Sequence, residues 1–264
     1  MRKPPGVGRI SATERTGQQV RRTETYVGRA IPKRHFLELN RMTSGDSGYG
    51  IVPECLSGHE CDDLLEALSV ESVTRSRAGA RHLMSVPVVA ELAKDVRLTD
   101  LARVWLGSRA IPFRATLFEK SSVTNWLIPW HQDTALPLTK RFDLAGWGPW
   151  SEKAGSIYAH APAWALSRVI ALRVHLDASD PDNGPLRVVP DSHVTGVLND
   201  QAVMELVSTS GHLECCVPRG GVIAMRPLII HSSSKAKTGK SRRVLHIEYA
   251  DSLDLSDSVR LAVV

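Results

Sequence analysis

No stretch of this 264-residue sequence stays apolar for the ~18 residues that a membrane-spanning helix needs, which argues against a membrane protein. The start of the chain also lacks the apolar core of a secretory signal. Cysteine is scarce. Cys55, Cys61 and the adjacent Cys215 and Cys216 fit neither a zinc spacing nor a disulfide framework, so a reducing cytoplasm is the expected location. No Gly-x-Gly-x-x-Gly and no Gly-Lys-Ser/Thr loop is present, which leaves nucleotide chemistry without a motif. No internal repeat is visible. What remains is 42% hydrophobic and 23% charged, the balance of a soluble folded chain, not of a disordered or coiled-coil one.

The charge is unevenly placed. Residues 1 to 34 hold nine basic side chains against Glu14 and Glu24, a net of +7, while the whole chain is +5, which leaves −2 for the remainder. The basic character therefore belongs to a leader, residues 1–35, rich in Gly, Thr, Arg and Pro without apolar periodicity and expected to be flexible. Nucleic acid is an unlikely partner, since only this leader could attract it. A single domain is expected over 36–264, with a helical part over about 55–107 and strands over about 110–250.

Within that domain the hydrophobic period changes. Ser57 and Glu60 have the spacing of a capping box, followed by Cys61, Leu64, Leu65 and Leu68 on one helical face. A second helical region is expected from about Val88 to Trp105, stopping at Gly107. Then Phe113, Ala115 and Leu117 alternate with Arg114, Thr116 and Phe118, and Val169 to Leu176 is a dense β-branched run ending in an Asn-Gly turn. Further strands are expected at 186 to 189, 221 to 230 and 242 to 249. Helices followed by strands predict an α+β fold, its sheets closed as a sandwich or barrel.

Candidate chemistry lies in the histidines. Gly45-Asp46-Ser47-Gly48 resembles a serine-protease nucleophile segment, but only His35 precedes Ser47, which is the wrong chain order for that triad. Non-haem iron is often held by two His and one carboxylate on one face. His131 and Asp133, two apart on an extended strand, point to the same side. His175/Asp177, His212/Glu214 and His246/Glu248 share that spacing, so spacing alone leaves the choice open. Context favours the first: Asp177 closes a buried strand before a turn, where an Asp bonds its own backbone, whereas His131 follows Asn125-Trp126-Leu127-Ile128-Pro129-Trp130 and opens into a polar loop. His231, at the end of an apolar run, is a candidate third ligand. Arg242, eleven positions later, offers a planar cationic fork suited to the far carboxylate of a diacid.

Residues 48 to 250 resemble the phytanoyl-CoA dioxygenase family of Fe(II)/2-oxoglutarate oxygenases, in particular its short bacterial members. The resemblance is carried, in the family's order, by Gly48-Tyr49-Gly50-Ile51-Val52, Trp130-His131-Gln132-Asp133, the run Asn183 to Pro190, Ser192-His193, His231 and Arg242-Arg243. It implies a double-stranded β-helix, a jelly-roll barrel, with Fe(II), 2-oxoglutarate and O₂ as cofactor and cosubstrates. His131, Asp133 and His231 would then hold iron and Arg242 the far carboxylate of 2-oxoglutarate. Ser233 and Gln132, and less directly Thr116 and Arg173, match cosubstrate-contacting positions. Asp191 stands where relatives carry Gly, so that backbone is expected at φ > 0 with little change around it. Asp133 argues against halogenation, because related halogenases carry a small residue there.

The implied activity is hydroxylation with release of succinate and CO₂. Desaturation, epoxidation or cyclisation would use the same residues, and a non-catalytic metal-binding jelly-roll is the alternative from another class. Asn125, Trp126, Trp130, Trp147 and His160 flank the metal strand or its following loop and are candidate pocket residues. No basic cluster for a CoA thioester is apparent in the body, which favours a free small molecule as substrate. Oligomeric state cannot be read from the chain.

Overall fold

The computed structural model describes residues 47–71, 73–76, 79–107 and 109–264. The basic leader and the expected domain start near residue 36 lie outside the described residues. The capping box forms: the Ser57 hydroxyl accepts from the Glu60 amide at 3.2 Å, and the Glu60 carboxylate accepts from the Ser57 amide at 2.7 Å. Helix α1 (Gly58–Val70) buries Cys61, Leu64 and Leu68. The second helical region is two helices, α2 (Pro87–Ala93) and α3 (Val96–Leu106). Asp95 is the reason, since its side chain leaves the helical path to accept from the Arg97 amide at 2.8 Å and caps α3. The Arg97 guanidinium then reaches Asp95, Glu60 and the Cys55 carbonyl, clasping α3 to the start of α1.

These helices cover one face of a seven-stranded antiparallel sheet. With strands numbered along the chain, it contains β1 (Tyr49–Val52), β2 (Arg75–Ser76), β3 (Gly79–Arg81), β4 (Ile111–Lys120), β9 (Val169–His175), β12 (Val222–Met225) and β14 (Arg242–Ala250), in the order β1-β12-β9-β14-β4-β3-β2. A second sheet runs β11-β10-β13-β5, from β5 (Ile128–His131), β10 (Leu186–Val188), β11 (Leu213–Cys215) and β13 (His231–Ser233). A small third sheet has the order β6-β8-β7, from β6 (Ala135–Leu138), β7 (Trp150–Lys153) and β8 (Ser156–His160).

Alternation sorts the side chains of the large sheet. Leu245, Ile247 and Tyr249 of β14 join Leu64, Leu98 and Leu101 of the helices in the main core. On the opposite face, Ala171, Ile223 and Met225 pack against Leu186, Val188 and Ile229, which binds the large sheet to the second one. Among the described residues the ladders do not join into a closed barrel. The architecture is mixed α/β with antiparallel sheets.

The segment expected as one strand over 221 to 230 is a strand only in its first half, and the rest is a turn. β12 ends at Met225, and Pro227, which has no amide hydrogen to donate, lies where the chain leaves the large sheet. The next strand, β13, starts at His231 in the second sheet. Asp191 does adopt the left-handed conformation, with φ 64.

Candidate metal centre

Two neighbouring strands of the second sheet bring the predicted ligands together. His131 of β5 and His231 of β13 are register partners, with ring centroids 4.2 Å apart. The Asp133 carboxylate lies 3.6 Å from His131 Nε2 and 3.5 Å from His231 Nε2. One ligand atom from each of the three residues falls within 4.8 Å of the others. Each imidazole is oriented locally: His131 Nδ1 is 2.9 Å from the Pro129 carbonyl and His231 Nδ1 is 2.9 Å from the Ile229 carbonyl. A carbonyl can only accept, so each Nδ1 carries a hydrogen and each Nε2 is turned towards Asp133.

The electrostatics agree with a cation site. Burial pushes His231 down to about 3, which keeps it a neutral donor. Burial opposes ionisation of Asp133, but His231 and His131 outweigh it and hold the carboxyl well below its usual range. Burial opposes protonation of His131, but its hydrogen bond to Asp133 and that carboxylate's charge outweigh it and raise its pKa, so a bound metal would displace this proton. Two imidazoles and one carboxylate on one face are the donor set of a non-haem iron site. The remaining His-x-acid pairs differ. His175 is fully buried on β9 with its Nδ1 3.2 Å from Ser179 Oγ, while Asp177 is bound bidentately by Arg243. His246 lies 3.6 Å from Glu248, which is paired with Arg114.

The triad opens on a cavity of about 300 Å³. Thr116, Gln132, Arg173, Ser233 and His160 line it, as do His246 and Tyr158. Arg242 sits behind this wall, 2% exposed, with Nη2 donating to Ser233 Oγ at 3.2 Å. Its Nε and Nη1 are buried and have no partner, and burial with the charge of Arg173 drives the guanidinium down to about 9. The Gln132 carboxamide is engaged by backbone, donating to the Gly196 and Leu228 carbonyls and accepting from the Leu198 amide. Arg173 directs Nη1 at His246 Nδ1, 3.2 Å away.

Four of the expected pocket residues are not on the cavity wall. Asn125 clamps the Ala236 backbone through both ends of its amide, at 2.8 and 2.7 Å. Trp126 lies 5.7 Å from Lys120 Nζ. Trp130 stacks against His212 and Arg187, and Trp147 packs edge-on to Phe142 and Trp164.

Sequence reasoning missed Lys120. It is 1% exposed, donates to Ser233 Oγ at 2.7 Å and to the Ser234 carbonyl, and is the register partner of Arg242. Burial, then the charges of Arg242, Arg173 and Arg187, bring it down to about 7. No local pattern marked it, because only the β4–β14 register brings it to Arg242. The body as a whole is acidic, yet Arg81, Arg114, Lys153 and Arg173 all gather on the one cavity.

The model of the family phytanoyl-CoA dioxygenase (PhyH) matches residues 46–244. The chain belongs to this family. A relative of this PhyH-family chain, the L-proline trans-4-hydroxylase of Streptomyces griseoviridis, is 24% identical over 188 residues, 61% of this chain and 62% of its own length. The ectoine dioxygenase of Sphingopyxis alaskensis is 31% identical over 109 residues, 41% of this chain and 29% of its own. The chain thus spans less than two thirds of either relative. Among solved structures, EctD from S. alaskensis with 2-oxoglutarate and 5-hydroxyectoine superposes with a TM-score of 0.61 at 21% identity, covering 83% of this chain and 76% of that one. HygX from Streptomyces hygroscopicus with nickel, 2-oxoglutarate and hygromycin B gives 0.58 at 17%, covering 84% and 88%. At these identities the likeness is one of fold. No helix among the described residues is long and apolar enough to cross a membrane.

Proposed function

We propose that this protein is an Fe(II)- and 2-oxoglutarate-dependent dioxygenase that hydroxylates a free small organic molecule and releases succinate and CO₂. The observation that carries the reading is a pairing: three metal donors on one cavity wall, and behind it a buried Arg242 whose Nε and Nη1 lack partners. Buried donors of a charged group are costly to leave unmatched, and a carboxylate supplies the match. His131, Asp133 and His231 would hold the metal. Arg242, with Ser233 Oγ and Lys120 Nζ beside it, would hold the far carboxylate of 2-oxoglutarate, while Thr116 and Arg173 line the space between. Fe(II) with 2-oxoglutarate and O₂ supplies an oxidant that inserts one oxygen atom into a C–H bond as the cosubstrate is decarboxylated. The chain's own residues fix the direction of approach and limit water at the buried end.

The two facing sheets fit a double-stranded β-helix, which we take to be the fold. The four unpaired cysteines accord with a cytoplasmic location. The solved relatives hold iron, nickel, 2-oxoglutarate or small organic molecules, which supports the same ligand classes here. The test is an anaerobic titration with Fe(II) and then 2-oxoglutarate, following the visible charge-transfer band of the chelate. Wild type gives the band, and Arg242→Ala needs about 10- to 100-fold more cosubstrate with iron still bound, the loss expected for charge-assisted hydrogen bonds. Bound iron with no band at any 2-oxoglutarate concentration would overturn the reading in favour of a non-catalytic metal-binding module.

A further inference from the structure

The inner face of the large sheet has two cationic ends. At one, Lys120 and Arg242 are register partners; at the other, Arg114 is partnered with Glu248. Arg114 and Lys120 lie six positions apart on β4, roughly 20 Å at ~3.3 Å per residue. A short diacid held at Arg242 cannot reach the Arg114 end.

At that far end, Arg81, Arg114 and Lys153 line the cavity with Tyr158, His160 and Thr134. They come from separate elements: Arg81 from β3 beside Thr116, Arg114 from β4 and Lys153 from the β7–β8 hairpin. Arg114 is already neutralised, since its guanidinium binds Glu248 and the Ala135 carbonyl. Lys153 and Arg81 have no carboxylate within ion-pair distance among the described residues. Tyr158 holds Lys153 in place: its hydroxyl is 2.9 Å from His82 Nε2, and the ammonium lies 4.9 Å from the centre of its ring. Burial, and the charges of Arg81 and Arg114, disfavour the protonated form of Lys153, the signature of a cation lacking a counter-ion.

The charge count reaches the same point. Among the described residues, Asp133 is the only carboxylate on the cavity wall. A divalent metal with Asp133 leaves one positive charge, which together with Arg242 balances a 2-oxoglutarate dianion. Arg173 at the metal, half-buried Lys153 and exposed Arg81 then remain without a carboxylate of their own, the last two beside the space left for the substrate.

We propose that Lys153 and Arg81 form an anion subsite that receives an acidic group, a carboxylate or a phosphate, on the substrate. This deepens the oxygenase reading and rests on it. The acidic group would anchor one end of the molecule at β7 and β3 and leave its remainder over the metal.

The test uses the full-length protein loaded with Fe(II) and 2-oxoglutarate. A panel of small carboxylic acids and phosphate monoesters is compared with the matching amides and alcohols, read by perturbation of the chelate band and by succinate release. Acidic members bind and are turned over, and each neutral counterpart is poorer by about tenfold or more in kcat/KM, as for one charge-assisted contact. Lys153→Gln raises KM for the acid about tenfold, more than any fall in kcat, and Arg81→Gln acts in the same direction. The carboxylate and phosphate arms show which acid the subsite takes. Preference for neutral members, equal binding of acids by Lys153→Gln, or binding of no acidic member would overturn the proposal. The chelate band keeps this separate from failure of the oxygenase reading: a band in wild type and Lys153→Gln shows that the metal and cosubstrate sites are intact, whereas its absence in wild type refutes the underlying function.

Discussion

One strand serves two purposes on its two sides. On β14, Leu245, Ile247 and Tyr249 point into the helical core, while Arg242, His246 and Glu248 share the other face, where His246 lines the metal cavity and Arg242 lies behind its wall. All six are nearly inaccessible to solvent. On the helical side burial is free of polar cost, apart from the Tyr249 hydroxyl, which donates to the Ala93 carbonyl at 2.9 Å. On the cavity side, burial strands charges whose partners are incomplete, as the unpaired Arg242 nitrogens show. Equal burial therefore means stability on one face and readiness to bind on the other.

Mutations on the two faces should separate cleanly. The largest effect is expected from Asp133→Ala, on the wall opposite the cavity face of the large sheet. Iron-dependent succinate release falls to background while the melting temperature of the metal-free protein holds. Loss of fold in this variant would break the comparison. On the helical face, Leu245→Ala removes a fully buried side chain and costs about 3 kcal/mol, a fall of roughly 6–12 °C in Tm for a domain of this size. Calorimetry measures that fall, and the 2-oxoglutarate concentration that half-saturates the chelate band should not move.

A smaller effect comes from His175, buried on the inner face away from the metal. Burial, then Arg173 and Arg242, hold its pKa well below the free value of 6.5. The unfolded chain therefore takes up a proton in acid that the folded one refuses. The stability from this group is complete above pH 6.5 and is lost as pH falls below it. His175→Gln should be less stable at pH 7, lose less on acidification in chemical denaturation, and still bind iron. Loss of iron binding in His175→Gln would assign the ligand role to the wrong histidine.

How much of this was legible in the chain follows from the range of each interaction. The Ser57–Glu60 box, the alternation of β4 and the all-buried β9 are local, and each forms where its pattern predicts. The candidate metal donors could be named because His131 and Asp133 are neighbours and the family's order of motifs singled out His231, and the structure brings the three together. The β7–β8 hairpin was not read, since its strands are short, polar and joined at Ala154-Gly155 with no apolar period. The tryptophans near the metal strand misled for the opposite reason: proximity in sequence put Trp126 and Trp130 beside His131, but the pleat and the loop turn them elsewhere. Lys120, Arg81 and Lys153 are scattered: strand register alone sets Lys120 beside Arg242, and register with hairpin packing brings Arg81 and Lys153 to one cavity. The break at Pro227 was visible as a residue but not as a change of sheet.

The third sheet is joined by its own hydrogen bonds, β6 to β8 to β7, and not by a ladder to β5 or β13. The metal donors and the wall that faces the substrate are thus separate pieces of construction. Residues at the exposed turn between Lys153 and Ser156 can change in size or number without shifting the pairing of His131 with His231. A chain built this way can keep its candidate metal centre fixed while selection rewrites what is brought to it.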